Sequence, residues 1–481
     1  MTDERAAPPA IALLEVKDAL DPLVARFTQA GHEVSLVGGP VRDVLLGQGP
    51  AHDLDLTTDA RPEAVERLLS GWADAVWDVG MRFGTVGARR GGMSLEITTY
   101  RSEAYDGGSR KPEVSFGDTL EGDLARRDFT VNAMAVRLPT LEFIDLHDGM
   151  RDLREGILRT PGTPEESFGD DPLRMMRAAR FVSQLGFDVA PDVLDAMCRM
   201  SERIDIVSAE RVRDELVKLL LGRYPRRGLE VLVDTGLAER ILPELPALQL
   251  ELDEHHRHKD VYHHSLTVLE QAIDLETMHE PASGPDLVLR LAALLHDIGK
   301  PKTRRFESDG GVSFHHHEVV GARMVRKRLT ALRFPHDTVD DVAKLTELHL
   351  RFHGYGTGEW TDSAVRRYVR DAGDQVERLH KLTRADCTTR NRRRAAALQE
   401  AYDGLERRIA NLAEQEELDA IRPDLDGNEI MRILGIGPGP RVGEAYRYLL
   451  ELRLDEGPLG EEAATAALLE WWARSGDPIG Q

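Results

Sequence analysis

Two acidic residues, Asp53 and Asp55, follow a Gly38-Gly39 turn and alternate with leucine in the run Asp53-Leu-Asp-Leu56. On a strand, alternate side chains share a face, so the two carboxylates would converge. Paired carboxylates repel, and a hard divalent cation such as Mg²⁺ relieves that repulsion. The glycine pair lets backbone N–H groups approach a phosphate, and the start of the following helix would face a triphosphate. Arg42 could add a charge-assisted contact. Taken singly, each part also occurs as a plain turn or a solvated strand end; together they predict nucleotide chemistry.

A second constellation lies downstream: His264, His296-Asp297, His317, His349 and Asp386. Imidazoles and carboxylates at these separations on successive helices can converge on one or two divalent ions. Neighbouring His263, His315 and His316 leave the register open by one residue.

The elements that must position these groups change character along the chain. Residues 11–30 read as an amphipathic helix ending at Gly31. Short β-prone runs follow at Val34–Val37, Leu54–Thr57, Thr85–Ala88, Leu95–Tyr100 and Leu141–Ile144, between turns and helical stretches. This pattern predicts an α+β head around one mixed sheet. From Asp171 onward helical periodicity dominates, with Leu173, Met176, Ala179 and Val182 as one buried stripe and Ser208 as an N-cap with Glu210 behind it. The expected division is an N-terminal helix (1–30), a head (31–145), a helical neck (146–245), a metal-binding helical body (246–400) and a helical tail (401–481).

Length and composition bound the classes available. With 481 residues, several structural units are expected. The 30% of charged residues and the lack of a long apolar run exclude a membrane-spanning chain. The first residues, Met1-Thr-Asp-Glu-Arg5, have no signal-peptide pattern, and two cysteines, Cys198 and Cys387, make neither a disulfide framework nor a CxxC zinc site. A reducing cytoplasm is the expected compartment. A net charge of −22 excludes coating nucleic acid through bulk charge. An RNA partner would need a local basic stripe, drawn from Arg211, Arg213, Lys218, Arg223, Arg226 and Arg227, or from Arg390, Arg392, Arg393 and Arg394. Each cluster alone reads equally well as a solvated helix face.

The first site resembles the nucleotidyltransferase head of class II CCA-adding enzymes and bacterial poly(A) polymerases. Further segments match in order: Phe83-Gly-Thr-Val86, Glu96-Ile-Thr-Thr-Tyr-Arg101, the loop Tyr105 to Pro112, Arg126-Arg-Asp-Phe-Thr-Val-Asn-Ala133, Asp145 to Gly149, Asp170-Asp-Pro-Leu-Arg174 and Ser208 to Glu215. The resemblance implies that Asp53 and Asp55 bind Mg²⁺, and that Arg127, Asp128 and Asn132 serve ribose and phosphates, beside the nucleotide contacts already read from Gly38, Gly39 and Arg42. It gives Asp171 and Arg174 the Watson-Crick edge of CTP or ATP; read as one helix, these positions lie a turn apart on one face. Glu96 is a candidate third carboxylate, and Asp170 stands where the family usually has Glu. Leu294-Leu-His-Asp-Ile-Gly-Lys300 resembles the HD phosphohydrolases, which implies a divalent metal of unstated identity on His264, His296, Asp297 and Asp386, with His317 and His349 available for a second ion or for phosphate.

The function implied is template-independent addition of C, C and A to the 3′ end of tRNA by two-metal nucleotidyl transfer, beside an HD site that is either an active phosphohydrolase or a tRNA-binding body. A poly(A) polymerase, an enzyme restricted to CC or A, and an HD phosphohydrolase whose head only recruits RNA are the competing readings. The acidic, apolar end of the chain (Leu459 to Trp472) weighs against a poly(A) polymerase, and the loop Tyr105 to Pro112 weighs against an enzyme restricted to CC.

Overall fold

The computed structural model describes residues 9–48, 53–80, 84–100, 117, 119–250, 261–308, 312–352, 360–388, 391–416 and 421–475. The loop Tyr105 to Pro112, Phe83, Arg101 and Arg390 lie outside them. The chain divides into two compact units, Met1–Pro243 and Glu244–Gln481.

The first unit opens with α1 (Pro9–Gln29) and builds a seven-stranded sheet: β1 (Val34–Val37), β2 (Asp53–Thr58), β3 (Ala75–Gly80), β4 (Thr85–Arg90), β5 (Met93–Thr99), β6 (Met134–Leu138) and β7 (Glu142–Asp145). Their order is β3-β4-β5-β2-β1-β6-β7, with β2 and β5 parallel and the other pairs antiparallel, so the sheet is mixed as expected. Strand β1 sits inside it and is buried along its length. Helices α2 (Gly39–Leu45), α3 (Pro62–Leu69) and α4 (Leu120–Ala125) connect the strands, and α5 (Gly149–Glu155) leaves the sheet. Asp145 accepts from the Gly149 and Met150 N–H groups at 2.7 and 2.9 Å, satisfying two donors at the start of α5. A Cβ on Gly149 would stand 2.4 Å from the Thr130 carbonyl oxygen, so only glycine allows this approach.

The unit continues as helices: α6 (Pro164–Asp170), α7 (Leu173–Leu185), α8 (Pro191–Met200), α9 (Ala209–Leu220), α10 (Pro225–Asp234) and α11 (Ala238–Ile241), with a short parallel pair of β8 (Ile157–Leu158) and β9 (Asp188–Val189). The stripe Leu173, Met176, Ala179 and Val182 is buried on α7, and Ser208 caps α9. One geometric expectation is corrected. Asp171 is extended (φ −141°, ψ 102°) at the break between α6 and α7, so it shares no helix with Arg174. The cause is Pro172, whose ring drives the preceding residue out of the α region.

The second unit comprises α12 (Val261–Met278), α13 (Leu287–Leu295), α14 (Lys300–Thr303), a hairpin of β10 (Arg305–Phe306) and β11 (Val312–Ser313), then α15 (His317–Ala331), α16 (His336–Leu348), α17 (Asp362–Ala372), α18 (Val376–Ala385), α19 (Arg392–Glu416), α20 (Gly427–Leu434), α21 (Pro440–Glu456) and α22 (Glu461–Arg474). From Leu289 to Leu295 every residue of α13 is buried, Arg290 included. Glu276 takes that guanidinium through two bonds of 2.7 Å, which makes its burial tolerable. The last three helices share their own core around Ile430, Leu449, Leu468 and Trp472, and Asp426 with Glu429 forms a capping box on α20. Among the described residues no helix is long and apolar enough to cross a membrane.

Candidate functional site

On β2, Asp53 and Asp55 are exposed while Leu54 and Leu56 are buried, the alternation that two-residue periodicity demands. The parallel neighbour β5 sets Glu96 directly beside Asp55, also exposed, so three carboxylates share one face. Although solvent reaches the Asp55 side chain, protein crowds it, and this partial withdrawal from water pushes its carboxyl above the ordinary carboxylate range, with Arg127 and Arg177 opposing the shift and Glu96 and Asp53 adding repulsion. A group of negative charge that resists its own ionisation suits a cation. Gly38, at φ +71°, keeps this face open: a Cβ there would come 3.0 Å from Arg127 Nη1 and 3.9 Å from Asp55 Oδ2. Gly39 opens α2 without a side-chain cap.

Asp55 and Glu96 line a cavity of about 410 Å³ whose other walls include Arg126, Arg127, Asp128, Asp171, Arg174, Arg177 and Arg211. Arg127 donates to Asp123 at 3.2 Å. Asp128 accepts from the Phe129 N–H and from Asn132 through one oxygen and from Arg177 Nε, 2.7 Å away, through the other. Burial would raise its pKa, but Arg177 and Asn132 outweigh burial and hold it well below the carboxylate range. Asn132 is buried behind Asp128 and accepts from Arg42 Nη1 at 2.7 Å. Arg42 is therefore engaged within the protein, by Asn132 and by Asp43 at 2.8 Å, rather than standing at the cavity as its spacing suggested. Three guanidinium groups, on Arg42, Arg177 and Arg180, surround the Phe181 ring at 5.3, 5.6 and 4.1 Å. This is how α7 is keyed to α2 and to the segment after α4: charge on Arg177 meets charge on Asp128, and the Phe181 ring lies against the Arg42 guanidinium.

Asp171 and Arg174 reach the same cavity despite the helix break. Asp171 accepts from the Leu173 N–H at 3.1 Å and from Arg211 Nη2 at 2.8 Å. Arg174 donates to Ser167 Oγ at 2.9 Å and to the Arg126 carbonyl at 2.6 Å. Asp170 ends α6 and does not line the cavity. Arg177 and Asp123 are site residues that spacing did not single out; Arg177 was legible only as the next turn after Arg174. The basic stripe is largely neutralised locally: Arg211 pairs with Asp171, Arg213 with Asp214, Arg226 with Glu230 and Arg227 with Asp188, while Arg223 lies 5.3 Å from the Tyr224 ring. Lys218 is exposed on α9, and Arg393 and Arg394 are exposed at the start of α19.

In the second unit all six residues expected of a metal centre come together, in two groups: His264, His296 and Asp386, and Asp297, His317 and His349. His296, His317 and His349 each direct Nδ1 at the carbonyl three residues earlier, at 2.9, 2.8 and 2.7 Å. That bond places the proton on Nδ1 and leaves Nε2 as the inward ligand atom. His264 Nε2 lies 2.9 Å from Asp386, and Asp297 turns Oδ2 to His296 at 3.2 Å and Oδ1 to His317 at 3.3 Å, so its two oxygens face the two groups. The register is resolved as His264 and His317; His263, His315 and His316 are exposed. Burial disfavours charge on His296, yet Asp297 and Asp386 raise it to about 9, while burial beside His296 pushes His349 down to about 3. Buried carboxylates held ionised beside converging imidazoles are a donor set that fits divalent cations, and a bound cation would take the place of the proton that Asp297 and Asp386 hold on His296.

Comparison with known proteins matches the regions that carry these residues. Residues 34–159 match the poly(A) polymerase head domain, 186–248 the probable RNA- and SrmB-binding site of polymerase A, and 261–391 the HD domain. Nucleotidyltransferases and HD proteins typically use divalent metals. The CCA-adding enzyme of Ligilactobacillus salivarius is 44% identical over 224 residues, 46% of this chain and 54% of that enzyme, so the chain spans about half the length of this relative. The crystal structure of the Bacillus stearothermophilus CCA-adding enzyme in complex with CTP aligns with a TM-score of 0.67 at 26% identity, over 98% of this chain and 99% of that one. The A-adding tRNA nucleotidyltransferase of Deinococcus radiodurans is 35% identical over 452 residues, 91% of this chain and 95% of that protein. Likeness sustained across both units, and not in the head alone, makes the chain a member of the tRNA nucleotidyltransferase family.

Proposed function

We propose that the chain adds C, C and A, without a template, to the 3′ end of tRNA in the cytoplasm, using CTP and ATP. The observation that carries this reading is one cavity with Asp55 and Glu96 on one wall and Asp171 and Arg174 on another. Asp53 and Asp55 would hold Mg²⁺, with Glu96 beside them. The bound ion would supply positive charge for the triphosphate and for an attacking hydroxyl. Arg127, beside that face, would meet phosphate charge, and Asp128 with Asn132 would fix Arg177 and Arg42 behind the ribose. Asp171 accepts from an amino group and Arg174 donates to ring acceptors. Cytosine and adenine present that order of groups, and guanine and uracil reverse it. The present partners, Arg211 on Asp171 and the Arg126 carbonyl on Arg174, are the contacts a base would exchange.

Purified protein offered tRNAs ending in the discriminator base, in C and in CC, with each nucleotide separately, tests the reading. Incorporation of C, C and then A in order supports it, and processive A on any RNA overturns it. One observation favours a narrower second reading: a relative matched over 95% of its own length is named A-adding. Incorporation of A onto the CC end alone would select that reading.

For the second unit we infer a divalent-metal centre on His264, His296, Asp297, His317, His349 and Asp386 that hydrolyses phosphate esters. The test is hydrolysis of a small phosphodiester before and after metal exchange, with metal content measured on the same samples.

A further inference from the structure

Between two residues of the metal centre, Asp297 and His317, the chain makes an excursion through α14 and the β10–β11 hairpin, paired Arg305 to Ser313 and Phe306 to Val312. The base of the hairpin is tied to the centre on both sides. Lys300 Nζ lies 2.9 Å from Asp297 Oδ2, and the Phe314 carbonyl accepts from His317 Nδ1. Farther out, Phe306 is 76% exposed, with the Arg304 guanidinium 5.3 Å from its ring centroid. Lys302, Arg304 and Arg305 are exposed beside it. A single exposed apolar side chain needs no explanation. Here, however, four cations fall between Lys300 and Arg305 in a chain of net charge −22, and the aromatic ring stands at the end of that run.

A basic strip sets phosphates in place, and an aromatic ring offers a platform to an unpaired base; the two together are the recognition chemistry of single strands. A duplex hides its base faces, and a bare polyanion has none, so in both cases Phe306 would have no task. We propose that the β10–β11 hairpin is a docking surface for single-stranded RNA. Phe306 stacks on a base, Lys302, Arg304 and Arg305 meet the adjoining phosphates, and the strand is led toward the metal centre at the hairpin's base. The direction of that path rests on the phosphate-ester reading of the second unit; the binding does not.

The test uses the full chain and a short, unstructured oligoribonucleotide carrying 4-thiouridine. Crosslinks mapped by mass spectrometry should fall on the peptide that contains Phe306. By fluorescence anisotropy, Phe306→Ala should weaken binding at this site by roughly fivefold to 150-fold, the range expected for one stacked base. Arg304→Gln with Arg305→Gln should reduce the salt slope of log K by about 1.4, two phosphate contacts at ~0.7 each. Metal content should be unchanged in both variants. Crosslinks confined to other peptides, unchanged affinity in Phe306→Ala, or a deoxyribonucleotide strand bound more tightly than the RNA would each overturn the proposal. If small phosphodiesters are not hydrolysed while Phe306→Ala still loses RNA, the phosphate-ester reading fails and the docking surface stands.

Discussion

The two sites hold similar ligand atoms in opposite ways. In the first unit Asp53, Asp55 and Glu96 stand exposed on a strand face beside an open cavity, and the cationic side chains around them are tied to other protein groups. In the second unit the six candidate ligands are packed among helices, and three of the four imidazoles are locked by a carbonyl three residues back. The difference teaches what each centre must do between reactions. On the proposed functions, a site that would take its metal together with a nucleotide must stay wet and wide, whereas one that would keep its metals can bury them, because fixed donors replace the lost water.

The sharpest way to break this contrast is to remove one carboxylate from each site. Asp55→Ala should reduce nucleotide incorporation by about a thousandfold, since several kcal/mol of metal-derived stabilisation is lost at ~1.4 kcal/mol per decade. Its hydrolysis of a small phosphodiester should be unchanged. Asp297→Ala should do the converse and lower the bound metal. Loss of both activities from either variant would show that the sites are coupled.

Stability sharpens the comparison next. Asp128→Ala leaves Arg177 beside Phe181 without its carboxylate, and should cost ~3–5 kcal/mol in chemical denaturation. An equal loss in Asp53→Ala, whose side chain is exposed, would contradict the distinction drawn between framework and ligand residues.

Acid should act on the second unit through a group outside the metal centre. His380, stacked on Tyr368 at 5.7 Å, is held near 4 by burial, and Glu406 opposes that shift incompletely. Its folded pKa lies below its unfolded value of about 6.5, so the neutral form is favoured in the folded state. The stability it contributes is present above pH ~6.5 and is lost as the pH falls toward 4, on the order of 3 kcal/mol. In His380→Gln the unfolding midpoint should lose that part of its pH dependence; an unaltered profile would remove His380 from the account.

The smallest expected effect is at the cavity rim. Arg211 is half-exposed, so Arg211→Ala should change stability by no more than ~1 kcal/mol. If Asp171 reads a base amino group, the same variant should lower the KM for CTP; a raised KM would mean that Arg211 itself holds the nucleotide.

Much of this was legible along the chain, and the failures have physical causes. Asp53 and Asp55 were readable because strand periodicity places alternate residues on one face whatever the surroundings. Strands β3 and β6 escaped notice. The β6 segment, Met134-Ala-Val-Arg-Leu138, is rich in good helix formers, and it is a strand because β1 and β7 pair with it on either side. Spacing alone groups Asp171 with Arg174 on one helix face; Pro172 breaks that helix, and the two residues meet at one cavity instead. Arg177 reads as an ordinary helical arginine until the fold brings Asp128, 49 residues earlier, within 2.7 Å.

Residue type and short-range spacing were enough to name the chemistry: paired carboxylates, a His-Asp dyad, turns that need glycine. These follow from bond geometry and backbone sterics, which act over a few residues. Which of the adjacent histidines turns inward, which arginine neutralises which acid, and whether a basic run faces solvent were decided by packing between elements distant in sequence. Those outcomes depend on desolvation and on distances that no local pattern encodes.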